Sequence, residues 1–129
     1  FVDVIDDTHV FMADKAGNNR IDSLLNILRA PDIGMLFLIP GVRETLRING
    51  VARITRAPGL LARHTENGHT PKVGLLIEVR AAYLHCGRSL MKAHLWNPET
   101  WPDRKVVAAA GRIWADHIAL SKQLKKASQ

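Results

Sequence analysis

Five stretches of the chain are strand-like, some alternating between polar and apolar residues and others almost continuously apolar, and apolar residues recur at helical spacing in the segments between them. FVDVI (1–5), HVFMA (9–13), IGMLFLI (33–39), ETLRINGVARITR (44–56) and KVGLLIEVRAAYLHC (72–86) read as strands, each bounded by turn residues. Asp6-Asp7-Thr8 predicts a hairpin turn between the first two. In the fourth stretch, the alternation of Leu46 and Ile48 breaks at Val51 before Ile54, so Asn49-Gly50 marks either a bulge or a tight turn.

Helices fill the gaps. Ile21, Leu24, Leu25 and Leu28 are spaced for one helical face, and Pro31 ends that helix. Residues 58–63 read as a short helix with Pro58 in its first turn, and RSLMKAHLW (88–96) as another. A long final helix is predicted from about Arg104 to Lys126, with Val107, Ala110, Ile113, Trp114, His117 and Leu124 as its apolar stripe. Strands interrupted by short helices and closed by a long one predict an α+β domain with a mostly antiparallel five-stranded sheet, an arrangement that invites a small barrel. There is no repeat, low-complexity tract or linker, so residues 1–129 read as a single domain. The chain opens inside a strand without an initiator Met, which leads us to expect a segment before Phe1.

Composition changes this picture little. No stretch is long enough to span a bilayer, and the first residues carry no basic leader. Cys86 is the single cysteine, so neither an intrachain disulfide nor a thiolate zinc cage can form, and a cytoplasmic location is expected. The net charge of +6 fits a nucleic acid or an anionic small ligand. Aromatic residues make up only 5% of the chain, too few for base stacking, and the one dense basic run, 122–126, reads as a solvated helix end. Neither a nucleic-acid nor a membrane partner is therefore expected.

Two clusters could carry chemistry. The first is Gly17-Asn18-Asn19-Arg20, at a strand-to-helix transition. Asn18 and Asn19 can cap the helix, which puts Arg20 in its first turn, where the positive end of the dipole disfavours a cation. A bound anion reverses that penalty, and local neutralisation by Asp22 removes it without a ligand. The second is HCGRSLMKAHLW (85–96), where Arg88, Lys92 and His94 bring positive charge near Trp96. A flat anionic ligand suits this set, and so does a core role for Trp96. His85, Cys86 and His94 match no zinc spacing, so no metal is expected. His64 and His69 flank an Asn-Gly turn and are expected in solvent. No nucleophile elbow, P-loop or dinucleotide fingerprint is present.

Three segments in consistent order, GNNRIDSLLNIL, IGMLFLIPGVRETLRINGVARIT and HCGRSLMKAHLWNPETWP, resemble the pyridoxamine 5′-phosphate oxidase-like flavoproteins, over roughly residues 1 to 103. The similarity is to an FMN-dependent subgroup with a Gly-Asn-Asn-Arg motif. The resemblance implies an FMN-binding split β-barrel and a homodimer with flavin at the subunit interface. It implies that Asn18, Asn19, Arg20 and Ser23 line the FMN phosphate and ribityl chain. Arg88, Ser89 and Trp96 would approach the flavin from the partner subunit, and Glu44, Thr45 and Arg47 would lie near the dimer seam and ring. Relatives carry further strands before the position of Phe1, including a Ser-Pro-Arg-Gly-type segment that contacts FMN, so N-terminal strands of the barrel are expected to be missing from this chain. The implied activity is an FMN-dependent oxidoreductase of unassigned substrate and unassigned catalytic residues. A non-catalytic flavin-binding or interaction module on the same fold is the alternative, and a deazaflavin in place of FMN is left open.

Overall fold

A computed structural model describes residues 2–17 and 20–127, with side chains as far as residue 124. The chain divides into two compact units, residues 1–89 and 90–129.

The first unit is built on a five-stranded antiparallel sheet. Its strands are β1 (Asp3–Val4), β2 (His9–Ala13), β3 (Asp32–Phe37), β4 (Thr45–Thr55) and β5 (Gly74–His85), in spatial order β1-β2-β5-β4-β3. Helices α1 (Asp22–Arg29), α2 (Pro58–Ala62) and α3 (Arg88–Lys92) connect or follow them. The sheet is not closed into a barrel: β1 and β3 are its two edges. The Asp6-Asp7-Thr8 hairpin forms as expected, with Asp3 opposite Phe11 and Val4 opposite Val10. Asp6 Oδ1 accepts from the Thr8 amide at 2.7 Å and from the Thr8 hydroxyl at 2.9 Å. These donors, the amide first, together with His9, lower the Asp6 pKa to about 2.

Paired residues share a face of the sheet, so the register assigns its two surfaces. One face carries Val10, Ile48, Ala52, Leu75 and Ile77, and α1 covers part of it through Leu24 and Ile27. Ile77 is 0% exposed, the centre of this core. On the opposite face Phe11, also 0% exposed, packs with Ala13 beneath Leu60 and Leu61 of α2.

The phase break at Asn49-Gly50 is a bulge, but the extra residue lies on the partner strand. Asn49 pairs with Ala81 and Gly50 with Val79, so Arg80 of β5 falls between the two registers. β4 runs straight through, and Gly50 is required there. A Cβ at this position would lie 2.2 Å from the Glu78 carbonyl oxygen.

Other expectations are corrected. Of the predicted α1 face, Leu24 packs inward, but Ile21, Leu25 and Leu28 are exposed and Ile27 replaces them. The helix begins at Asp22 with Ile21 as N-cap, so Ile21 lies outside it, and the stripe against the sheet is the i, i+3 pair Leu24 and Ile27. His64 is not in solvent. Its side chain is 8% exposed, its ring sits 5.4 Å from that of Phe11, and its Nε2 lies 3.2 Å from Asp3 Oδ2. Arg63 Nε reaches the same oxygen at 3.2 Å, so Asp3 ties β1 to the end of α2. Lys15 pairs with Glu66, which lowers the Glu66 pKa. Asn67 and Gly68 both adopt left-handed backbone (φ 50° and 76°), and Glu66 and His69 bridge across them.

In the second unit, Asn97 caps a single 3₁₀ turn, Pro98–Thr100, by accepting from the Glu99 amide at 3.1 Å. Trp101 Nε1 donates to the Leu95 carbonyl at 3.1 Å. The final helix, α4 (Ala110–Ala127), starts later than predicted because residues 104–107 form turns. Val107, Ile113, Trp114 and Leu124 of its predicted stripe are all exposed. Among the described residues no helix is long and apolar enough to cross a membrane.

Candidate functional site

Two of the three linked motifs meet in space. Thr45, the first residue of β4, pairs with His85, the last residue of β5, and Arg47 pairs with Tyr83 on the same face. Beyond the strands the chains cross again. A Cβ on Gly87 would stand 1.7 Å from the Arg43 carbonyl oxygen and 2.4 Å from its carbon, so the two backbones touch through the missing side chain. Segments forty residues apart in sequence are thereby locked together. Glu44, Thr45, Arg47, Arg88 and Ser89, all expected at the site, gather at one end of the sheet.

At that end Thr45 is 5% exposed, and its hydroxyl is buried with no hydrogen-bond partner. A buried hydroxyl left unpaired costs on the order of 1–3 kcal/mol, so this is an unmet hydrogen-bonding group at this end of the sheet. Arg43, Glu44, Arg47, His85, Arg88 and Ser89 around it are exposed.

The other expected residues lie elsewhere. Arg20 and Ser23 belong to the start of α1, which packs over the Ala52–Ile77 region of the sheet. Thr45 is seven residues from Ala52 along β4, about 23 Å at strand rise. The two groups of candidates thus occupy different halves of the sheet. Arg20 precedes the N-cap rather than lying in the first helical turn, so the expected dipole penalty does not apply to it. Ile21 occupies the N-cap without a side-chain cap, and Asp22 supplies the acidic residue that the first turn favours. Arg20 Nε pairs with Asp22 Oδ2 at 3.1 Å, the local neutralisation weighed from the sequence. Both side chains are largely exposed, 75% and 69%, and such a pair is worth about 0–1 kcal/mol. Asn18 and Asn19 lie outside the described residues. Trp96 belongs to the second unit, where it is half-buried.

Sequence reasoning missed Gly87, Arg43 and the Thr45–His85 pairing. The only signal for Gly87 was a glycine between a strand end and a helix start, which a plain C-terminal turn also explains. Among the described residues no three side chains of metal-ligating type come together. Comparison of the chain with protein-family models, curated proteins and solved structures gives no match.

Proposed function

We propose that this chain is an FMN-binding flavoprotein of the pyridoxamine 5′-phosphate oxidase-like kind, an oxidoreductase built on a split barrel and working as a homodimer. The observation that carries the reading is the meeting of the ETLRING and HCGRS segments around a buried, unpartnered Thr45 hydroxyl. These segments were singled out by resemblance, and their junction offers an unmet hydrogen-bonding group where a polar ring edge is expected.

The residues fit FMN as two half-sites. Arg20 and Ser23 suit the phosphate: a guanidinium and a hydroxyl stand beside the free amides of the first turn of α1. Thr45 suits a polar edge of the ring, with Glu44, Arg47, Arg88 and Ser89 around it. Because the half-sites lie over different halves of one sheet, a second copy is the natural way to bring them to a single ligand. Leu36, Leu38, Ile39, Val42 and Leu84 are exposed at the Thr45 end of the sheet, and Leu84 is 73% exposed. Apolar surface gathered in this way favours association.

Flavin supplies the hydride and electron chemistry when bound. The chain's own part is to hold the phosphate through Arg20 and Ser23, to orient the ring through Thr45, and to set local charge through Arg47 and Arg88. The test is a titration of the full-length protein with FMN, followed by melting temperature, then exposure to nicotinamide donors. At a hundredfold excess over Kd, binding adds about 2.7 kcal/mol to stability. No shift with FMN refutes the flavoprotein reading. Binding without reduction by any donor leaves the non-catalytic module.

A further inference from the structure

We infer that the final helix, α4, is a surface anchor that lies flat on a bilayer rich in anionic lipid, with its apolar half at the headgroup boundary. This goes beyond the flavin reading and does not depend on it.

Every α4 residue from Ala110 to Leu124 is exposed, which suits one side of the helix and not the other. At about 100° per residue, Ile113, Trp114, Ile118, Leu120 and Leu124 fall in one half of the helical circle, with His117 and Ser121 between them. Arg112, Asp116, Lys122 and Gln123 fall in the other half. Trp114 is 74% exposed. Together with His117, Ile118 and Ser121, and with Lys122 at the edge, it lines one open, mainly apolar groove, so the strip is continuous over two turns. Contiguous exposed apolar surface rimmed by polar residues marks an interaction site.

Charge names the occupant. Residues 104–129 hold six basic residues, Arg104, Lys105, Arg112, Lys122, Lys125 and Lys126, against the single acid Asp116. Five of the chain's six net positive charges therefore lie in this segment, and the rest of the chain is nearly neutral. A second copy would cover the apolar half but bring two strongly cationic segments together, which like charge opposes. A nucleic acid would take the cations and leave the apolar half in water. An anionic membrane surface meets both: the apolar side chains and the Trp114 ring enter the headgroup boundary, while lysines and arginines meet lipid phosphates. No helix among the described residues is long and apolar enough to cross a bilayer, so α4 lies along it. The sequence pattern alone gave the basic run at 122–126 to solvent and expected no membrane partner. The exposed apolar half beside that run points the other way.

The test is cosedimentation of the full-length protein with vesicles of phosphatidylglycerol and, separately, of phosphatidylcholine, at low and high salt. The inference expects binding to the anionic vesicles only, falling as salt rises. Trp114→Ala, Ile118→Asp and Lys122→Glu each weaken it about tenfold. Arg29→Glu, the same change of charge at an exposed position of α1, leaves it unaltered. The melting temperature without vesicles stays at the parent value in every variant, because the strip packs on nothing in the free protein. The inference is overturned if neither vesicle binds the protein, if both bind it equally, or if the α4 variants bind as the parent does. It is overturned as well if Trp114→Ala and Ile118→Asp lower the melting temperature by several degrees, which would assign the strip to the protein's own fold. Without vesicle binding, a dimer lost with Trp114→Ala would make a second copy the occupant, and salt-sensitive binding of a DNA duplex would make it a nucleic acid; either overturns the lipid surface.

Discussion

Replacing Gly87 by alanine tests whether the junction of two distant segments organises the site. The new methyl carbon would lie 1.7 Å from the Arg43 carbonyl oxygen, 2.4 Å from the carbonyl carbon and 3.1 Å from the Cα. All three are backbone atoms, so no side chain can swing aside. The two chains must part by more than an ångström, which disturbs the pairing of Thr45 with His85 next to them. Overpacking of this kind costs about 1–3 kcal/mol, and the rigid contact places Gly87→Ala at or above the upper end. Urea denaturation gives the change in midpoint at constant slope. Gly59→Ala is the control, because nothing lies within 4 Å of a Cβ there; in a helix it is neutral or stabilises by about 0.4–1 kcal/mol. If Gly87→Ala unfolds within 0.5 kcal/mol of the parent, roughly the scatter of neutral surface changes, the backbone contact is not real and the site has lost its frame.

Phe11→Ala empties the centre of the second core and removes the ring under His64; it should cost about 3–5 kcal/mol by chemical denaturation, and a loss below 1 kcal/mol would show that α2 does not cover this face. Asp6 titrates near 2 in the folded chain against an ordinary 3.8, so its ionised form favours the fold. That contribution is complete above the ordinary value and disappears as pH falls through about 2. Asp6→Asn keeps an acceptor for Thr8 and should flatten the urea midpoint between about pH 4 and pH 2; an unchanged slope refutes the assignment. Arg20→Ala should weaken FMN about tenfold while leaving riboflavin, which has no phosphate, unaffected in equilibrium titration; equal losses for both would remove the phosphate role.

Strand identities were legible because short apolar or alternating runs were bounded by turn residues, and the five expected strands are the five observed. Their register was not. Periodicity located the irregularity at Asn49-Gly50, but which strand carries the extra residue depends on pairing, and Arg80 gives no local sign of it. The face of α1 was misread because the adjacent Leu24 and Leu25 allow two rotations, and the packing of Leu24 and Ile27 on the sheet chooses between them. His64 was placed in solvent because an Asn-Gly turn nearby looked like an exposed loop; its burial comes from Phe11 and Asp3, both more than fifty residues away. Barrel closure was expected from strand number, yet an open sheet satisfies the same hydrophobic pattern. At the candidate site, motif order singled out Glu44–Arg47 and Arg88–Ser89, two segments that the fold brings side by side. The contact that joins them runs through a glycine hydrogen atom, which leaves no trace in a hydrophobic pattern.

Sedimentation velocity of the full-length protein mixed with FMN, followed at the visible absorption of the flavin, tests the central proposal most directly. Two half-sites over different halves of each sheet predict that flavin sediments with a dimer, one per chain, and that Arg20→Ala and Arg47→Ala each weaken the complex. Flavin that sediments at the rate of free FMN, or travels with a monomer, would contradict it.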